Sequence, residues 1–271
     1  MKKLALAILT LAMMVSTNAF GQGKYGRDSA ECIKYLSYYT EYYKQKNYDE
    51  ALPSWRKAYK LCPPTASENM FVQGSTLLRR LIQQNANNAA YRTALVDSLL
   101  ALHDTRMQAY PRRAVSVLNT KGLDIHNYIK GDAEGVYKMY EDIIAANKGE
   151  TDPNIFLFEL DAATELVQAG KLDPEQFINI YQRNLELIKP EDGKREELES
   201  LFITSKVASC ENLLALFTPR FEANPNDIGV VSNIVSMLNI YKTVSAPSKS
   251  LSLFSSVSFS VKNTVSVPLI G

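Results

Sequence analysis

Histidine is scarce in this chain. Only His103 and His126 occur in 271 residues, and neither has a second ligand at helical spacing. Asp104 adjoins His103 and so points to another face of a helix. No metal centre or histidine-based acid–base site is expected, and no cofactor is implied. Glycine is sparing too, at 12 residues. Gly193-Lys194-Arg195 lacks both the glycine spacing and the strand that a phosphate cradle needs, and no serine stands in a Gly-x-Ser-x-Gly turn. These gaps give the expectation that the protein is not an enzyme. Charge of neither sign dominates, with 30 basic and 29 acidic residues. Such a balance argues against nucleic acid, whose binding rests on phosphate neutralisation, and against an anionic membrane surface.

The one long apolar run, Leu4 to Val15, follows Met1-Lys2-Lys3 and precedes Ser16, Thr17, Asn18 and Ala19. This is the layout of a cleavable secretory signal, too short to anchor in a bilayer. Residues 1–21 are therefore expected to be a signal peptide cut after Ala19 or Gly21, a buried N-terminal helix being the other reading. The mature chain would be exported, periplasmic or outer-membrane-associated, with no transmembrane segment once the signal is removed. No cysteine follows closely enough for a lipid anchor; Cys32 is too far on. Removing Lys2 and Lys3 from the 30 basic residues leaves 28 against 29 acidic, a net charge of about −1.

The stretch Cys32 to Thr65 states a structure most openly. Apolar and aromatic residues recur at helical spacing up to Tyr43, break at Lys44-Gln45-Lys46-Asn47, and resume as Tyr48, Ala51, Leu52, Trp55, Ala58, Tyr59 and Leu61. Pro63-Pro64 ends the second helix, because proline lacks the N–H and fixes φ. A helical hairpin follows, with Ala51 and Ala58 small at the crossing and Tyr48, Trp55 and Tyr59 filling the space beside it. The run Tyr-Lys-Gln-Lys-Asn-Tyr-Asp-Glu-Ala-Leu, with Trp55, Ala58, Tyr59, Leu61 and Pro63, resembles the second half of a tetratricopeptide repeat. The resemblance implies an all-α fold, a right-handed α-solenoid of helix-turn-helix repeats of about 34 residues. Tyr39 departs from the pattern, standing where the family usually has a small residue.

The chain holds three cysteines. Antiparallel helices place the start of the first beside the end of the second, which brings Cys32 to Cys62. A disulfide there would close about 30 residues and contribute on the order of 3 to 4 kcal/mol in the chain-entropy picture; two small buried thiols are the alternative. Cys210 lies in an apolar pattern that reads as core.

Residues 22–65 thus form the unit closest to the repeat consensus, and residues 66–241 read as degenerate units of the same kind. The second runs from Glu68, with Gly74 as a close-contact point, through a break at Asn85 to Asn88 and a helix from Ala90 to Ala109, to Pro111. The third spans Arg112 to Asn147 around a Lys130-Gly131-Asp132 turn. The fourth spans Asp152 to Pro190, with Ala162 and Ala163 at the crossing and Pro174 opening its second helix. The fifth begins near Glu196 and ends at Asn224-Pro225. A helix from Asn226, with Ile228, Val231, Ile234, Val235 and Leu238, opens a sixth. The acidic group Glu191, Asp192, Glu196, Glu197 and Glu199 reads as a solvated loop and helix start.

No acidic residue occurs beyond Asp227, and residues 242–271 are rich in serine. Ser255 to Val261 alternates polar and apolar at a strand-like period. This tail is either a flexible Ser-rich end or out-of-frame translation of a further repeat.

First helices of repeat hairpins face the inner curve of a solenoid. That face would carry Leu36, Thr40 and Tyr43 in the first unit and Lys121, Ile125 and Tyr128 in the third. Tyr39, Tyr42 and Tyr43 are candidates for a contact patch, since seven of the 15 tyrosines fall between Tyr35 and Tyr59. The lysine and asparagine set by which some tetratricopeptide proteins hold a C-terminal carboxylate is missing. The resemblance then implies a scaffold that binds a protein or peptide partner. A carbohydrate-binding or glycan-processing protein is the alternative: inner-face aromatics stack on sugars, and Asp161 and Glu165 lie one turn apart.

Overall fold

The computed structural model describes residues 23–241, with side chains as far as Val235. The expected signal peptide and the Ser-rich tail, with its strand-like run, lie outside the described residues. Eleven α-helices and no strand occur among the described residues: α1 (Ser29–Lys44), α2 (Tyr48–Leu61), α3 (Asn69–Gln84), α4 (Ala89–Ala109), α5 (Ala114–Tyr128), α6 (Ala133–Asn147), α7 (Pro153–Gln168), α8 (Pro174–Leu187), α9 (Arg195–Thr204), α10 (Cys210–Ala223) and α11 (Ile228–Tyr241). The fold is all-α. The described residues divide into two compact units, 23–121 and 122–241, parting within α5.

In the first unit α1 packs on α2, α2 on α3 and α3 on α4. The α1–α2 turn is tight because Lys46 takes a left-handed conformation, φ 59°, and its backbone N–H donates to the Tyr43 carbonyl. Ala51 and Ala58 are fully buried, so the helix backbones approach where side chains are smallest. Cys32 and Cys62 are joined by a disulfide with Cα atoms 5.1 Å apart. The next close approach is at Gly74 on α3, where a Cβ would lie 2.4 Å from Trp55 Cζ2. Trp55 Nε1 donates to the Met70 carbonyl at 2.7 Å, and the indole stacks on Tyr59 with ring centres 5.5 Å apart. The indole is thereby held by a hydrogen bond, a ring and a bare glycine backbone. Pro53 sits inside α2 and Pro219 inside α10, both exposed, and each helix continues past its proline despite the missing donor.

In the second unit α6 packs on α7, α7 on α8 and α8 on α9, while α7 also meets α9 and α11 meets both α9 and α10. Gly122 on α5 gives up its Cβ to Ile155 of α7, whose Cδ1 would be 2.4 Å away. Asp132, Asp152 and Asp173 cap α6, α7 and α8, and Pro153 and Pro174 occupy the first helical position, where the N–H is not needed. Gly131 and Gly170 supply the left-handed residues of the two turns, φ 75° and 68°.

This unit also buries charge. Glu159 of α7 is fully buried; its Oε2 accepts from Arg183 Nη2 and, at 2.8 Å, from Asn184 Nδ2. Glu199 of α9, expected in solvent, is 6% exposed and accepts from Arg220 Nη2 at 2.5 Å and from Asn233 Nδ2. In both cases a carboxylate on the first helix of a pair is held by an arginine of the second, α8 or α10. Once desolvated, such a carboxylate needs a cation and hydrogen bonds to remain ionised.

Candidate functional site

The residues expected on an inner face or in the tyrosine contact patch divide in two. Tyr39 and Ile125 are corrected to core positions, at 1% and 0% exposed, because each lies on the stripe of its helix that meets its neighbours. Burial pushes the Tyr39 hydroxyl pKa up, with the Thr40 and Ser67 side chains beside it pulling the other way. Leu36, Thr40 and Tyr43 are half-buried, and Tyr43 packs edge-on against Tyr48 with ring centres 5.2 Å apart. On α5, Lys121 is half-buried and bonds Asp104 Oδ1 at 2.5 Å, while Tyr128 is half-buried. What α1 does expose is Ile33, Tyr38 and Tyr42, at 45%, 50% and 37%. Tyr38 and Tyr42 are one turn apart and so share a face. Of the aromatic patch read from sequence, Tyr42 is at the surface and Tyr39 is not.

His103 is buried. Cys210, read as core, is half-buried.

A concave site of about 100 Å³ is formed in the second unit by the end of α5, the turn Lys130-Gly131-Asp132, the start of α6 and the middle of α7. The Gly131 turn reverses the chain so that His126 of α5 faces α7. The imidazole stacks on Phe158 with ring centres 3.6 Å apart and planes 7° from parallel; Tyr140 of α6 lies 6.2 Å from the same ring. Asp161 and Glu165, one turn apart on α7, form the rim and are exposed. Their carboxylates make no hydrogen bond or ion pair among the described residues. Lys130 Nζ donates to the His126 carbonyl at 2.6 Å, and Asp132 Oδ1 accepts from the Gly135 N–H at 2.9 Å.

The electrostatics follow from this packing. Burial lowers the His126 pKa and the Lys130 ammonium lowers it further, while Asp161 opposes both, so the neutral imidazole is favoured. Burial raises the Tyr140 hydroxyl pKa, with Asp161 acting in the same direction; it therefore stays a neutral phenol. Among the described residues no three histidine, cysteine or acidic side chains are grouped to hold a metal ion, and none of the helices is long and apolar enough to cross a membrane.

The carboxylates of this cleft were legible as an i, i+4 pair. His126, Tyr140 and Phe158 were not joined to them in sequence, because they lie on three different helices. No protein-family model matches the chain, and no curated protein matches it.

Proposed function

We propose that the protein is an exported binding scaffold of the bacterial envelope, a right-handed α-solenoid of tetratricopeptide-like hairpins that holds a protein or peptide partner. The observation that carries the reading is the face of α1 where Tyr38 and Tyr42, one turn apart, stand in solvent although the Cys32 and Tyr39 side of the same helix already satisfies its packing; the exposed Ile33 lies on the other flank. Tyrosine combines a large rigid area with a hydrogen-bonding tip, which suits a contact surface more than a solvated one. Packing of α1 on α2, α3 on α4, α6 on α7 and α10 on α11, chain neighbours in each case, supports the repeat architecture. The test is chemical crosslinking in the native envelope with the wild-type protein and a Tyr38→Ala/Tyr42→Ala variant. Both side chains are exposed, so the fold should survive. Loss of a specific adduct in the variant is expected, and an unchanged adduct pattern would remove the support.

The carbohydrate reading gains one observation, since Asp161 and Glu165 do share a cleft with stacked rings. Size weighs against it. A cavity of about 150 Å³ is what benzene fills, so roughly 100 Å³ admits only part of a pyranose. Glycan-array binding abolished by Asp161→Asn would reverse this preference.

A further inference from the structure

The α5–α6–α7 cleft offers an aromatic wall, two rim carboxylates without partners and the hydroxyl of Tyr140. Tyr140 is 2% exposed, lines the cleft, and its hydroxyl has no hydrogen-bond partner among the described residues. Tyr140 and Asp161 line the same cleft, and the Asp161 carboxylate is near enough to act on that hydroxyl, which leaves the phenol able to hydrogen-bond a ligand there. The lining charge is negative. Asp132, Asp161 and Glu165 face Lys130 alone, whose ammonium is already engaged by the His126 carbonyl.

An anion would meet this rim unfavourably, and a neutral sugar is too large for the space. A small cation meets every feature: its N–H groups would donate to the carboxylates and to the Tyr140 oxygen, while its flat or apolar part would lie against the His126 and Phe158 rings. We infer that the cleft receives the guanidinium or alkylammonium end of a basic side chain from the partner peptide. A guanidinium fits the two rim carboxylates best, because its planar fork can serve both acceptors while its face stacks. The assignment rests on the scaffold reading for the source of the cation, and on the cleft alone for its chemistry.

The test uses the whole mature protein and small probes, followed by NMR of the His126 and Tyr140 ring signals. Methylguanidinium is expected to shift both signals saturably, with acetate silent. The Asp161→Asn/Glu165→Gln variant, altered only at exposed positions, should bind methylguanidinium about tenfold more weakly or worse. The tripeptide acetyl-Ala-Arg-Ala-amide should bind more tightly than methylguanidinium, and acetyl-Ala-Gln-Ala-amide not at all. No shift with methylguanidinium, an equal response to acetate, or unchanged affinity in the variant would overturn the assignment. Equal affinity for the arginine peptide and free methylguanidinium would assign the cleft to a free small cation and overturn the peptide source. These titrations need no partner, so their failure is separable from failure of the Tyr38 and Tyr42 crosslinking experiment.

Discussion

Replacing Arg183 by methionine should expose what holds the second unit together. Glu159 is fully buried, its Oε1 has no partner, and the remaining acceptor bonds are to Arg183 and Asn184. Burial raises its pKa, and Arg183 acts most strongly in opposition. Removing one member of a fully buried ion pair costs about 3–5 kcal/mol. Arg183 is 38% exposed, so solvent screens part of its attraction and the figure must fall. Protonation sets a ceiling as well: at about pH 7 an ordinary carboxylate of pKa about 4.3 takes up a proton for about 3.7 kcal/mol. The expected loss is about 2–3 kcal/mol, read as amide hydrogen exchange in α7 and α8 faster by roughly 30- to 150-fold. The pH dependence fixes the cause. For a carboxylate with a raised folded-state pKa, the stability it contributes is full below the unfolded value and is lost as pH rises through the folded one. The variant should therefore lose most at neutral pH and approach wild type near pH about 4, where Glu159 is protonated in both. In a Glu159→Gln background the same Arg183→Met change should cost less than about 1 kcal/mol. Equal acceleration at both pH values, or full cost in the Gln background, would refute the reasoning.

Gly74→Ala should destabilise the first unit by about 2 kcal/mol, overpacking against the indole at the upper end of its usual range and helix propensity returning about 1; denaturant unfolding followed by the single tryptophan checks this. Removing the disulfide with Cys32→Ser/Cys62→Ser should lower stability by about 3–4 kcal/mol for its 30-residue separation, measured by the same fluorescence. The pKa of His126, followed by NMR, should rise in Lys130→Gln and fall further in Asp161→Asn, because the first removes a repelling cation and the second a stabilising anion. Since that pKa is lowered in the fold, His126 favours the folded state above its unfolded value and this contribution is lost as pH falls through the folded one.

Periodicity made the helices legible. The breaks at Lys44 to Asn47, Asn85 to Asn88 and Lys130 to Asp132 are the turns found, and Gly74 is the close contact it was read to be. Faces were harder to read. Ile125 was placed on an inner surface by the expected role of first helices, and Tyr39 in a contact patch by the clustering of tyrosines, but one apolar spacing serves core and surface alike, and only the neighbouring helices decide. Glu159 left a readable trace, a lone charge inside the apolar run from Ile155 to Leu160. Glu199 left none, because Glu196 and Glu197 beside it are exposed and all three look alike in sequence. The cleft was half legible: Asp161 and Glu165 share a helix, whereas its rings come from helices whose packing no local pattern states.

A photo-crosslinking amino acid placed at Tyr42, with the same group at exposed Lys60 as control, tests the scaffold reading most directly when irradiated in the native envelope. A discrete protein adduct from position 42, absent from position 60, is the expected result. No adduct from either position, or the same adducts from both, would contradict the account.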